Sequence, residues 1–216
     1  MLVLLAAPVT SPADPMVSFN QPEGDSSSNS VQVFGGLMST RSLLSTLTYN
    51  LQYQDVRPAY DNYMAGVAYD HDFWRWGKVV KMGAEVGVAD RFGHYAVCCD
   101  IKVYSSSMLN SGEVWGGLRL RYEGLVLFNV LRISPSAAIG LSAVTDSIGR
   151  ERERELTQHG DARFLLFFGP ELAFSLRKHE NIELTIGVHH RSGANGAIGH
   201  LDEGYNANTF GLRFRF

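Results

Sequence analysis

Eight segments of this chain alternate apolar and polar residues with a period of two, and their lengths and faces leave few folds open. They run roughly Val31 to Thr40, Asn62 to Phe73, Lys78 to Arg91, Gly112 to Glu123, Arg132 to Thr145, Ala162 to Leu176, Ile182 to Ser192 and Asn206 to Phe216. Each reaches the ten or so residues that a tilted membrane-spanning strand needs. Side chains two apart on a strand share a face. In the sixth segment Phe164, Leu166, Phe168, Pro170, Leu172, Phe174 and Leu176 fall together, and in the eighth Phe210, Leu212, Phe214 and Phe216 do the same. The opposite faces carry Glu85, Arg119, Arg121, Glu123, Glu171, Glu183, Arg191, Arg213 and Arg215.

A soluble sandwich or lipocalin-like barrel turns such charges to water and packs the apolar faces into a core. A membrane barrel inverts this, with lipid against the apolar faces and charges of both signs paired in the lumen. The connections decide between them. The second, fourth and sixth are short (Phe73 to Lys78, Gly124 to Leu131, Arg177 to Asn181), whereas the first, third, fifth and seventh are mostly longer and polar. Short turns alternating with long loops, on an even strand count, predict an all-β fold, an eight-stranded antiparallel transmembrane up-and-down β-barrel of the outer-membrane type. Its interior is nearly filled by side chains, so a wide channel is not expected.

Composition sets the remaining bounds. The chain has 216 residues, 45% of them hydrophobic, and a formal net charge of −3, which points away from disorder and from nucleic-acid partners. Adjacent Cys98 and Cys99 offer neither a disulfide framework nor zinc-type spacing. The opening Met-Leu-Val-Leu-Leu-Ala-Ala reads as the remnant of a secretory signal over residues 1–13, followed by a periplasmic segment, 14–30, and the barrel, 31–216. The terminal Gly-Leu-Arg-Phe-Arg-Phe resembles the last strand of bacterial outer-membrane proteins, whose final aromatic the barrel-assembly machinery recognises. That resemblance implies an eighth strand ending at the periplasm, so the seventh runs outward.

Near the outward end of that seventh strand, His190 and Ser192 fall in step with Ile182, Leu184, Ile186 and Val188. A base and a nucleophile side by side on a lipid-facing surface suit ester hydrolysis of a greasy substrate. His-x-Ser at the end of the seventh strand, with the following His-Arg-Ser-Gly-Ala-Asn-Gly and a closing Asn-Ala-Asn-Thr-Phe-Gly-Leu-Arg-Phe-Arg-Phe, resembles the outer-membrane lipid A deacylases of the PagL type, the acyloxyacyl hydrolases. The resemblance covers the whole chain in architecture, and its specific part is confined to about the last 35 residues. It implies removal of a 3-hydroxyacyl chain from lipid A on the outer wall, with His190 as general base and Ser192 as nucleophile, no cofactor, and lipopolysaccharide as partner. That family uses a glutamate at the start of the final strand, where this chain reads Asp-Glu-Gly-Tyr-Asn-Ala-Asn. Counted back from Phe216, the lipid-side positions are Asn208 and Asn206, which an antiparallel register sets beside His190 and Ser192. The imidazole's partner is therefore sought among Asn206, Asn208 and the loop carboxylate Glu203.

Other readings stand beside this one. His190 and Ser192 also suit a polar rim where the apolar band stops, in a non-enzymatic barrel that stabilises the membrane or binds a partner through its loops. Tyr63, Tyr69, Tyr122 and Tyr205 read as interface-girdle aromatics. His189 reads as a lumen residue, and a metal site from His189, His190, His200 and Asp202 is disfavoured because adjacent strand residues face opposite ways. The Arg-Glu run from Arg150 to Glu155 reads as a solvated loop whose arginines reach lipid phosphates, and the Gly193 amide or the Asn195 side chain as an oxyanion donor.

Overall fold

The computed structural model describes residues 16–19, 27–39, 41–47, 60–98 and 101–216. Eight antiparallel strands form a wall: β1 (Asn29–Ser39), β2 (Tyr60–Trp76), β3 (Val80–Cys98), β4 (Ile101–Tyr122), β5 (Leu131–Val144), β6 (Phe164–Leu176), β7 (His179–Ser192) and β8 (Asn206–Arg215). Each pairs with the next, and β8 pairs back onto β1 from Asn206↔Ser39 to Arg215↔Ser30, so no strand of the wall is left with an open edge. Closure is what lipid demands, because hydrocarbon cannot satisfy an unpaired backbone group.

The register sets the tilt. From Ser39 the ladder partners run through Asn206, His190, Phe168, Ile139, Leu118, Ala84 and His71 and return to β1 at Asn29, ten residues from the start. That stagger makes the strands lean, and residues paired across the wall do not share one depth in the membrane.

The faces divide as the period-two pattern predicts. Outward, Val33, Val67, Val86, Leu118, Ile139, Leu172, Leu184 and Leu212 are exposed around the wall. Trp74 and Trp76 mark the short-turn end, while Tyr63 stacks on Phe92, ring centroids 6.0 Å apart, toward the long-loop end. Inward, Arg121 binds Glu183 (2.9 Å), Lys81 binds Glu123 (2.9 Å), and Arg213 lies 3.2 Å from Asp70, which Arg119 also pairs. An aromatic layer of Phe34, Trp115 and Phe167 fills the middle, with Trp115 Nε1 donating to Glu85 at 2.9 Å. Gly87 makes that layer possible, since a side-chain carbon there would sit 2.1 Å from the Trp115 ring. The lumen is a packed core and not a pore.

Three features differ from the sequence-based expectation. β3 and β4 do not stop at Arg91 and Gly112; the ladder continues to Cys98↔Ile101, with a register shift between Gly93 and Tyr95, so the third connection is a long hairpin. The strand-forming residues simply continue past the lipid. Second, the Arg-Glu run is not a solvated loop. It forms α2 (Gly149–Gln158), in which Glu151 is 0% exposed and binds both Arg91 (2.7 Å) and Arg191. Its arginines are taken by neighbours: Arg150 by Glu153, Arg152 by Glu155, and Arg154 by Glu203 at 2.8 Å. Third, the barrel begins at Asn29, before Val31. The expected leader, residues 1–13, lies outside the described residues, as does Cys99; of the segment 14–30, Val17–Ser18 pair with Val126 and Leu127 at the short-turn end.

Glu151 is the keystone of the plugged mouth, because it compensates two buried guanidinium groups at once. Glu151→Gln keeps its volume and removes that charge, so urea unfolding of the refolded protein in micelles should lose about 3 kcal/mol. Arg152→Gln, at an exposed ion pair on the same helix, should change stability by less than about 1 kcal/mol.

Candidate functional site at the outer rim

Four connections gather at the end of the barrel where β7 finishes, and the site forms there on the outside of the wall. β7 places His190 and Ser192 outward and His189 and Arg191 inward. Opposite them on one side stand Phe168 and Leu166 of β6, and on the other Asn206 of β8, whose ladder partner is His190 itself. Asn208 is set one pleat lower, opposite Val188. The register therefore selects Asn206, and not Asn208, as the neighbour of the imidazole.

His190 Nδ1 lies 2.6 Å from Asn206 Oδ1. The second end of the same amide decides the chemistry. Asn206 Nδ2 donates to the Arg41 carbonyl at 2.8 Å, which a carbonyl can only accept, so Oδ1 must be the atom turned to the ring. Nδ1 then carries the proton and donates. Nε2 of the neutral imidazole is left as the unprotonated nitrogen, the form a general base requires.

Ser192 is half-buried two residues on. Its hydroxyl donates to the Asp202 carbonyl at 3.2 Å and accepts from the Ala194 amide at 3.1 Å. The last loop thus holds the nucleophile candidate in a resting orientation. Glu203, the carboxylate candidate, is turned to α2 and bound to Arg154, whose Nη1 also donates to the Gly204 carbonyl at 2.7 Å. Burial holds the Arg154 guanidinium below its ordinary value, with the Glu203 carboxylate opposing that shift only in part. Glu203 braces the loop against the helix through Arg154 and makes no hydrogen bond to His190.

The remaining expectations resolve by side of the wall. His189 faces the lumen, where Nε2 meets Glu113 Oε1 at 2.8 Å, so it and His190 stand on opposite faces and cannot share a metal. Tyr205 is not a girdle residue. It is 1% exposed, stacks on His189 and donates to Glu113 at 2.6 Å, because it stands at an odd position from Phe216 and the odd positions point inward. Gly193 serves packing: a side-chain carbon there would meet the Leu201 carbonyl at 1.9 Å. Asn195 is exposed and turned into the left-handed backbone region at φ 54°. Sequence reasoning missed Arg41 altogether and, for Asp202, the role it plays; both act through backbone carbonyls, for which side-chain identity gives no signal.

No family model and no curated sequence matches this chain. Solved structures do. The crystal structure of the outer membrane enzyme PagL superposes with a TM-score of 0.50 at 10% identity, over 87% of this chain and 99% of that one. The chain is an eight-stranded outer-membrane β-barrel. Its exposed apolar wall and charge-filled lumen place it in the bacterial outer membrane on physical grounds, and the likeness agrees in fold. Neisserial surface protein A (TM-score 0.48, 12% identity, 87% of this chain and 97% of that) and OprG from Pseudomonas aeruginosa (0.44, 13%, 91% and 98%) also superpose.

The amide geometry fixes a tautomer that can be read directly. In ¹⁵N-histidine-labelled barrel, the His190 Nε2 resonance should fall in the range of a bare imidazole nitrogen and Nδ1 in the protonated range. Asn206→Ala should mix the two tautomers, whereas a protonated Nε2 in the parent protein would contradict the assignment.

Proposed function

We propose that this barrel hydrolyses an acyl ester of lipid A, removing a 3-hydroxyacyl chain at the outer rim. The observation that carries the reading is the Asn206 amide, which leaves the His190 Nε2 lone pair free on the lipid-facing side, two residues from Ser192. The resemblance of the His190-x-Ser192 segment to the lipid A deacylases supplies the substrate class.

In the forward step Ser192 Oγ–H turns from the Asp202 carbonyl and gives its proton to His190 Nε2 as Oγ bonds to the ester carbonyl carbon. The tetrahedral adduct collapses, the carbon–oxygen bond to the sugar breaks, and His190 returns the proton to the leaving alkoxide. Water, deprotonated by the same nitrogen, then attacks the acyl carbon; the bond to Ser192 Oγ breaks, His190 returns the proton to Oγ, and the fatty acid leaves. Asn206 keeps the ring in place as a positioning residue. Being neutral, it stabilises the imidazolium less than a carboxylate would. The substrate arrives from the outer leaflet, so lipopolysaccharide is the partner.

A second reading is a barrel without catalysis, which stabilises the membrane or binds a partner through its loops. It draws on the commitment of Glu203 to Arg154, which leaves the imidazole without a carboxylate partner.

Mass spectrometry of lipid A from cells with the barrel in their outer membrane separates the two. Loss of one hydroxyacyl chain, abolished by Ser192→Ala and lowered about 100-fold or more by Asn206→Ala, is the expected result. Unchanged lipid A from a correctly inserted barrel, shown by heat-modifiable migration, would overturn the esterase.

A further inference from the structure

His190 and Asn206 face the lipid by their position on the wall, yet they are 6% and 0% exposed. Outward residues lower on the same strands are open: Leu184 is 38% exposed, Ile182 45% and Phe210 58%. Something covers the upper part of β7 and β8 from outside. The chain leaving β1 does so. Instead of rising away from the rim, residues 41–47 turn back over the wall, and the short helix α1 (Leu43–Leu47) packs across β7 and β8.

The tethers are specific. Asn206 Nδ2 donates to the Arg41 carbonyl at 2.8 Å and Asn208 Nδ2 to the Thr46 carbonyl at 3.1 Å. Ser39 Oγ, at the end of β1, accepts from the Arg41 amide (3.2 Å) and from the Thr46 hydroxyl (3.1 Å). Both outward asparagines of β8 thus hold one segment by its backbone, one at each end. The segment turns its apolar side outward, with Leu44 71% and Leu47 39% exposed.

We propose that residues 41–47 form a strap that closes the His190 site and must lift for a lipid to reach it. The inference rests on the esterase reading for its purpose, although the closing of His190 can be tested without catalysis. The strap is held by backbone carbonyls on side-chain amides, and an ester carbonyl is the same kind of acceptor. When the strap lifts, Asn206 Nδ2 gives up the Arg41 carbonyl beside the imidazole and becomes a donor for an oxygen of the incoming lipid, while Oδ1 keeps hold of Nδ1. The exposed Leu44 and Leu47 let the lifted segment stay in the acyl layer without exposing apolar surface to water.

The test reads the accessibility of His190. The full-length barrel in micelles is treated with diethyl pyrocarbonate, and modification is followed residue by residue by tandem mass spectrometry, with the exposed His179 and His200 as internal references. In the parent protein His190 should react at least tenfold more slowly than either. Asn208→Ala removes a tether and leaves His190, Ser192 and Asn206 in place, and His190 should then react about fivefold faster with His179 unchanged. Ser39→Ala, which releases the opposite tether, should act in the same direction. Rapid modification of His190 in the parent, or equal rates in the parent and both folded variants, would overturn the strap. A strap that opens as expected over a barrel that leaves lipid A intact would overturn the esterase and leave the strap standing.

Discussion

Charge buried inside a closed wall is the constraint on which this barrel depends. Lipid outside forbids an open sheet edge and penalises an outward charge, so the arginines, the lysine and most of the acids of the wall gather in the lumen and pair there, while Asp90 stays on the outer face beside Asn110. The narrow lumen brings those partners within reach. Arg91, Arg191, Glu113 and Glu151 lock the outer mouth, Arg121, Glu123 and Glu183 the opposite end, and the Trp115 layer separates them. Because one misplaced residue would exchange every inward charge for an outward apolar group, the ladder register is strongly fixed.

The rim site inherits its geometry from that register. The pairing that sets Arg213 beside Glu183 also sets Asn206 beside His190 and Ser39, on the other face of the same strands. No loop is needed to bring the imidazole and its amide together. Loops act one step later: the last loop holds the Ser192 hydroxyl through Asp202, α2 braces that loop through Arg154 and Glu203, and the first loop lies over both asparagines. The pair set by the ladder therefore sits within a frame of loop contacts.

What the sequence disclosed follows the same division. Period-two alternation showed which side of the wall each residue takes, and with it the eight strands, the charged lumen, the outward His190 and the choice between Asn206 and Asn208 once the register was known. The same parity assigns Tyr205 to the lumen, and reading it as a girdle residue weighed its chemistry above its position. Loop structure was not legible in this way. α2 has no apolar stripe to betray it; its buried face is acidic, and Glu151 is inside only because Arg91 and Arg191 converge on it from β3 and β7. The long hairpin was hidden because polar residues past the lipid pair as well as apolar ones. The strap could not be seen at all, since its tethers are backbone carbonyls.

The asparagine at position 206 carries a consequence for the whole rim. A carboxylate there would accept from the imidazole and hold it more strongly once charged, but it has no hydrogen with which to bind the Arg41 carbonyl. At a covered, lipid-side position it would also carry a desolvated charge whenever the imidazole was neutral. The amide accepts on one side and donates on the other, so it orients the ring and fastens the covering segment with one uncharged group. The two carboxylates nearest in sequence, Asp202 and Glu203, are turned instead to α2, through Gln158 and Arg154. The chain thus keeps its ionised acids at the loop, where they hold the mouth together, and gives the lipid face a neutral partner. That choice trades strength in holding an imidazolium for a site that can be closed by backbone alone.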